Sequence, residues 1–277
     1  LNKKWSIIIG SIILISIFIT GVFADSPIKL IVNGQEIKPD AAPQIINGNT
    51  MVPISWVAKA LGADVKWDKQ NNAVNITRPY FVSNQAEAEA KLYPFQNING
   101  MYRGFILEVK GERKYFAWEN VTNPTYAPEL LFADINQDSE KELIILLTTG
   151  TGTGVHKEDI HVINPGMLTE IAVESPADIV KQNINTKMQS DGDNMVIQII
   201  TGGKETTIIK EKEYSCSWFN NVAFGSICHY EVINNKLIVR IPAQVSPGSF
   251  VGEIQATYIF ENGKYRANTI NFTKTDY

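Results

Sequence analysis

From Tyr102 to Ile270 the chain repeats one phrase, a short apolar or alternating run closed by a tight turn. That pattern leaves room for little besides a largely antiparallel β fold. Phe105 to Val109 and Lys114 to Trp118 flank Gly111-Glu112, and Leu130 to Ala133 and Leu143 to Leu147 flank an acidic loop. Asp159 to Ile163, Met195 to Ile200, Glu205 to Lys210, His229 to Ile233, Lys236 to Ile241, Gln255 to Phe260 and Tyr265 to Ile270 continue the series. Gly202-Gly203, Asn234-Asn235 and Asn262-Gly263 supply turns that tolerate positive φ. One helix is predicted over Pro176 to Asn183, opened by Ser175 as its cap. A sandwich and a partial propeller both fit this region.

The segment before it follows a different grammar. Asn47-Gly48 makes a turn, Pro53 suits a first helical turn, and Ile54, Val57, Ala58 and Leu61 share one helical face before Gly62. Val65 and Trp67, then Val74 and Ile76, alternate with polar residues around the turn Asp68 to Asn72. Ser83 to Leu92, with Ala and Glu interleaved, reads as a short exposed helix or linker that Pro94 stops. The fold class expected is α+β: a small β-hairpin/helix/β-hairpin module, then a larger mainly antiparallel β domain.

The wording Gly48-Asn49-Thr50-Met51-Val52-Pro53-Ile54, Ala60-Leu61-Gly62-Ala63, Val65-Lys66-Trp67-Asp68 and Ala73-Val74-Asn75-Ile76 resembles the copper amine oxidase N-terminal-like (stalk) domain of secreted bacterial proteins. The hairpin Ile28 to Ile37, with its Asn33-Gly34 turn, fits the same family, so the resemblance covers roughly residues 27–78. It implies a spacing or docking module with no copper and no amine oxidase activity. In the namesake oxidase the chemistry belongs to a separate domain that uses three histidines and a cofactor made from the tyrosine of an Asn-Tyr motif, and no tyrosine here follows an asparagine.

Residues 1–24 read as an export signal: Lys3 and Lys4 precede an apolar run from Ile7 to Phe23, and Val22-Phe23-Ala24 offers a cleavage site. Leu1 is consistent with an alternative bacterial start codon. An uncleaved leader would anchor the chain in a membrane, and no cysteine follows it to carry a lipid. The expected order is signal 1–24, stalk-like domain 25–79, linker 80–100 and β-rich domain 101–277, in a secreted or cell-surface bacterial protein. A net charge of −4 without basic clusters argues against nucleic acid as a partner. Cys216 and Cys228 are the only cysteines. Outside the cell they could bridge, stabilising by about 3 kcal/mol in the chain-entropy picture, or stay as buried thiols.

The acidic loop carries the strongest chemical signal. Asp134, Asn136 and Asp138 alternate, with Glu140 at the seventh place and Glu142 at the ninth, just before a strand. Oxygen side chains at first, third and fifth places point inward, and a later carboxylate closes a cage suited to Ca²⁺. Ser139 stands where an EF-hand needs glycine, and Ile145 where it needs a bidentate Glu. With strands on both sides the loop is more similar to the calcium loops of FG-GAP or VCBS-type β repeats. The competing reading is a solvated acidic turn.

Other motifs point away from catalysis. Gly150-Thr151-Gly152-Thr153-Gly154 lacks the spacing of a phosphate loop and suits a wide turn or bulge. His156 and His161 fall on opposite faces if both lie in one strand, which disfavours a shared metal, and a His/Cys copper or zinc site using His229 and its neighbour Cys228 would require the chain to bring separated ligands together. Gly248-Ser249-Phe250-Val251-Gly252 has its serine one place too early for a nucleophile elbow. The expected function is a non-catalytic exported module whose β domain binds a cell-wall glycan or surface protein, with Tyr126, Trp218 and Phe219 as candidate loop aromatics. The alternative is a secreted hydrolase whose acids come from separate strands.

Overall fold

The computed structural model describes residues 28–32, 35–61, 63–77, 81–212 and 217–275. The leader at 1–24, the Asn33-Gly34 turn, Gly62 and Cys216 lie outside the described residues. The chain divides into two compact units, Leu1–Trp56 and Val57–Tyr277.

The N-terminal segment forms isolated two-stranded ribbons. β1 (Leu30–Val32) pairs with β2 (Gln35–Ile37), and β3 (Gln44–Ile46) pairs with β4 (Asn49–Met51). Asn47 and Gly48 both take positive φ, 51° and 79°, the pair of left-handed residues that a two-residue hairpin requires. Helix α1 (Ile54–Ala60) is two turns long, and Ala63 N–H reaches back to Ala58 O at 2.7 Å. β5 (Asp64–Asp68) then pairs with β6 (Ala73–Thr77). Asp68 closes their turn by accepting from Gln70 and Asn71 N–H, and these bonds, the Asn71 side chain first, hold its carboxyl below the usual range.

The α+β expectation is overturned. Among the described residues strands make up 63% and helices 8%. An α+β architecture needs a helix layer packed on a sheet, whereas α1 is seven residues long and each neighbouring ribbon pairs only with itself. Of the expected apolar helix face, Ala58 is buried but Ile54 and Leu61 are exposed.

Residues 83–92, expected as a helix or linker, instead fall in β7 (Ser83–Gln85), a turn, and the start of β8 (Ala90–Ile98). Their Ala and Glu have high helix propensity, yet they alternate with period two, and Ala88, Ala90 and Leu92 are buried on one face while Glu89 and Lys91 are exposed. Pro94 sits within β8 beyond the last residue paired with β7, where its missing N–H breaks no ladder bond on that side. β9 (Met101–Val109) and β10 (Glu112–Val121) complete a sheet of order β10-β9-β8-β7.

The rest of the second unit is built around a ring of strands. After a 3₁₀ turn at Pro124–Tyr126 come β11 (Glu129–Ala133), β12 (Glu142–Gly152), β13 (Val155–Asn164) and β14 (Thr169–Val173). Helix α2 (Pro176–Asn183) follows at the predicted place, with the Ser175 hydroxyl accepting from Asp178 N–H. The meander β15 (Ile184–Asp191), β16 (Asn194–Thr201) and β17 (Lys204–Glu211) comes next. Last are β18 (Ile227–Ile233), β19 (Lys236–Ser246), β20 (Ser249–Glu261) and β21 (Lys264–Lys274). The main sheet runs β11-β12-β13-β14-β21-β20-β19-β18, and β18 pairs again with β13. Pairing through β13, β14, β21, β20, β19 and β18 therefore closes into a barrel-like ring, in which β14 and β18 meet opposite ends of one edge of β13 while β12 takes the other edge. Ring closure gives β18 a second partner and leaves β11 as the end strand of this sheet.

The barrel core holds Ile160, Val162, Tyr230, Val239, Ile254 and Tyr258, with Ile179 of α2 fully buried among them. The continuous run Leu143 to Leu147 on β12 is buried on both faces: Ile144 and Leu146 belong to this core, and Leu143, Ile145 and Leu147 to a second one beneath Phe105, Leu107 and Trp118. Ala243, Val245 and Val251 pack with Ile197 and Ile199 of the meander in a third.

Gly252 (φ 151°) marks a close approach between β20 and β21, because a Cβ there would run into the Thr273 carbonyl and the Phe272 ring. Gly203 (φ 78°) sits in an open turn with nothing within 4 Å of such an atom. Urea denaturation is expected to show Gly252→Ala destabilised by on the order of 3 kcal/mol or more, from strain plus overlap. Gly203→Ala should lose only about 1–2 kcal/mol from its backbone conformation.

Candidate functional site

The acidic loop joins β11 to β12, whose ladder opens at Ala133 and Glu142. Asp134 organises it: Oδ1 accepts from Asp138 N–H at 3.1 Å and Oδ2 from Ser139 N–H at 3.0 Å. Asn136 Oδ1 also accepts from Asp138 N–H, its Nδ2 donates to Asp138 Oδ2, and Asp138 Oδ1 accepts from Glu140 N–H at 2.8 Å. Gln137 and Ser139 adopt φ of 65° and 76°, so the serine itself takes the left-handed conformation for which an EF-hand employs glycine. The loop thus gathers Asp134, Asn136 and Asp138 through its own backbone. Glu140 contributes its N–H, and its exposed side chain makes none of these bonds.

Glu142 lies under the loop, 5% exposed, and its Oε2 accepts from Ile135 N–H at 3.0 Å. Burial pushes its pKa up, the Ile135 bond opposes that rise, and the charges of Asp138 and Asp134 add to it. Tyr265 is fully buried beside it, and its hydroxyl makes no hydrogen bond of ordinary geometry. Burial first, then the Glu142 charge, raises the phenol's pKa. Negative charge at this end of the barrel is concentrated and only partly relieved by protein donors.

The histidines separate into two environments. His161 stacks on Trp118 with centroids 4.3 Å apart, and its Nδ1 meets Glu170 Oε1 at 2.6 Å. That bond is the main cause of Glu170's lowered pKa. His156 Nε2 lies 3.1 Å from Glu158 Oε1, and His229 Nδ1 lies 2.9 Å from the same oxygen. Glu158 Oε2 accepts from Tyr230 N–H at 2.6 Å. These three residues meet because β13 and β18 run parallel there, with His156 opposite Ile227 and Lys157 opposite Cys228. Sequence reasoning placed His156 and His161 apart, as the structure does, but did not bring Glu158 to His229. The one local signal was the His-Lys-Glu alternation of residues 156–158, which puts two ligand types on one strand face.

Cys228 is a buried thiol whose pKa burial pushes up. It lines a cleft of about 590 Å³ with Lys157, Glu158, Lys181, Phe224 and Ile241. Of the loop aromatics, Trp218 packs against the Val245 core and Tyr126 lies tilted over His156 at 5.6 Å, so neither stands free in solvent. The glycine run ends β12 and turns at Gly154 (φ 69°), with a bulge between Thr148 and Gly150.

Residues 29–97 match the copper amine oxidase N-terminal domain family model. The match runs past residue 79, the expected end of the stalk-like domain, and into β8. Among solved structures, "Structure of a Xanthomonas Type IV Secretion System related protein" is similar at 12% identity over 65% of this chain and 88% of that chain, with a TM-score of 0.22. No curated protein matches.

A carboxyl whose folded pKa lies above its unfolded value contributes stability that is present at low pH and lost as pH rises through the folded value. In chelator, Glu142→Gln keeps an acceptor for Ile135 and removes the charge. The variant is expected to equal or exceed the parent in urea midpoint at neutral pH, with the difference shrinking in acid. A parent midpoint that gains on the variant as pH rises would contradict the assignment.

Proposed function

We propose that this chain is a non-catalytic exported module in which the stalk-like segment docks or spaces a calcium-stabilised β domain that binds a cell-envelope glycan or protein. The observation that carries the reading is the match of residues 29–97 to the copper amine oxidase N-terminal domain family model. The surface of that segment supports it. Ile45 and Met51 on one ribbon and Trp67, Val74 and Ile76 on another are each about half exposed or more. On each ribbon taken by itself, exposed apolar side chains favour contact with a partner.

Calcium is the second element of the proposal. Asp134, Asn136 and Asp138 converge, and Glu142 is buried with its charge opposed by two neighbouring carboxylates, so a hard dication would relieve both burial and repulsion. Glu140 would join from the rim. Extracellular sites of this kind bind with Kd on the order of 10⁻⁴–10⁻³ M, which suits a rigidifying role. The cleft beside Phe224 and Lys181 has the size and mixed lining of a ligand site. The export signal expected at 1–24 supports a location outside the cytoplasm. Among the described residues no helix is long and apolar enough to cross a membrane.

Two measurements test this. Millimolar Ca²⁺ should raise the melting temperature of the parent and leave Asp134→Ala unchanged; a parent melt indifferent to Ca²⁺ removes the ion from the account. Purified cell wall should retain the chain, with retention weakened by Trp67→Ser. Release of soluble fragments from peptidoglycan or glycan substrates would instead establish the hydrolase.

A further inference from the structure

We propose that His156, Glu158 and His229 form a binding site for a divalent transition metal of the Zn²⁺ class, set on the seam that closes the barrel. The two imidazole nitrogens and the carboxylate oxygen all lie within 4.8 Å of one another, although they come from strands distant in sequence. His156 Nε2 and His229 Nδ1 both converge on Glu158 Oε1, at 3.1 and 2.9 Å. Bonds of about 2.0–2.1 Å in a tetrahedral site place ligand atoms roughly 3.3 Å apart. Admitting an ion therefore asks for movements of a few tenths of an ångström at the two measured pairs. Each ring would bind through the lone pair of that nitrogen, with its proton carried on the other nitrogen, so neutral imidazoles suffice.

The surroundings fit a held ligand set. Glu158 is anchored by its other oxygen to Tyr230 N–H, which fixes the direction of Oε1 in the way that outer hydrogen bonds orient metal ligands. Tyr126 lies tilted against the His156 ring. Side-chain exposure rises from 12% at Glu158 through 30% at His156 to 51% at His229, so the site opens to water on one side. Three protein ligands and an open position are the arrangement of exchangeable or reactive zinc sites, in contrast to the closed four-ligand sets of purely structural ones. Two nitrogens with one carboxylate favour a borderline metal over Ca²⁺, which separates this site chemically from the all-oxygen loop at 134–142.

β13 and β18 pair at two register positions, His156 with Ile227 and Lys157 with Cys228. An ion held by His156 and Glu158 on one strand and His229 on the other would staple that seam. Binding confined to the folded state raises stability by mass action.

The test uses the full chain freed of metal with a chelator. Equilibrium dialysis against Zn²⁺ at neutral pH is expected to give a single bound equivalent, and the melting temperature should rise with Zn²⁺. Glu158→Gln, which keeps an acceptor for Tyr230, and His156→Ala should each weaken binding by roughly 10–100-fold or more. His229→Ala, at a half-exposed position, should do the same with an unchanged far-ultraviolet spectrum, which excludes misfolding as the cause. His161→Ala and Asp134→Ala should retain Zn²⁺ binding in full. Anomalous scattering at the zinc edge should place the ion between the two strands. Failure of the parent to bind Zn²⁺, or binding that survives both histidine substitutions unchanged, would overturn the proposal. Neither result would bear on the calcium loop.

Discussion

Closure of the barrel rests on two parallel seams, and each is extended by a glutamate that takes up a backbone donor. At one seam β13 and β18 pair at His156 and Lys157, after which Glu158 accepts the N–H of Tyr230. At the other, β14 and β21 pair at Ala172 and Val173, Glu174 N–H reaches Tyr265 O, and the Glu174 side chain accepts the N–H of Ala267. Where strands diverge, a buried N–H without a partner costs about 1–3 kcal/mol. A carboxylate in each opening removes that cost, and the antiparallel strands between the seams can then form a ring with an apolar interior.

Because the ring is closed, its outer surface can serve other layers. β12 shows this most clearly: its odd-numbered leucines and isoleucine face the Phe105 and Trp118 core while Ile144 and Leu146 face the barrel side. The acidic loop hangs from the start of this doubly buried strand, so Glu142 is held under Asp134 and Asp138 by the same packing that fixes Leu143. The charge concentrated at that end follows from the fold's tightness. A loop on a looser strand would let Glu142 turn to water and lose its interaction with its neighbours.

The residues with the most chemical potential are thus tied to structural joints. The oxygen cluster sits at a strand entrance and the nitrogen-containing cluster at a seam, and each has an anchoring backbone N–H, Ile135 for Glu142 and Tyr230 for Glu158. The difference between them is ligand softness. Carboxylates and an amide suit a hard ion, while imidazoles suit a borderline one.

Much of the β region was legible from residues alone, because alternation and turn chemistry act between near neighbours. β16, β17, β19 and β21 contain the predicted runs, Asn47-Gly48 takes the positive φ that its residues allow, and Ser175 caps α2. The stretch 83–92 looks helical in sequence because Ala and Glu favour helix locally, while burial of Ala88 and Ala90 against a sheet outweighs a preference of a few tenths of a kcal/mol. The Asp134 to Glu142 cluster was readable as a unit because its members are adjacent in sequence. The meeting of Glu158 with His229, 71 residues away, was not. Parallel pairing leaves no turn residue and no periodicity to mark it, so the sequence determined the strands, the turns and the acidic loop, and only the tertiary structure decided which strands close the ring and which side chains meet there. Local patterns record interactions between neighbours along the chain, whereas a seam is chosen by burial summed over the whole core.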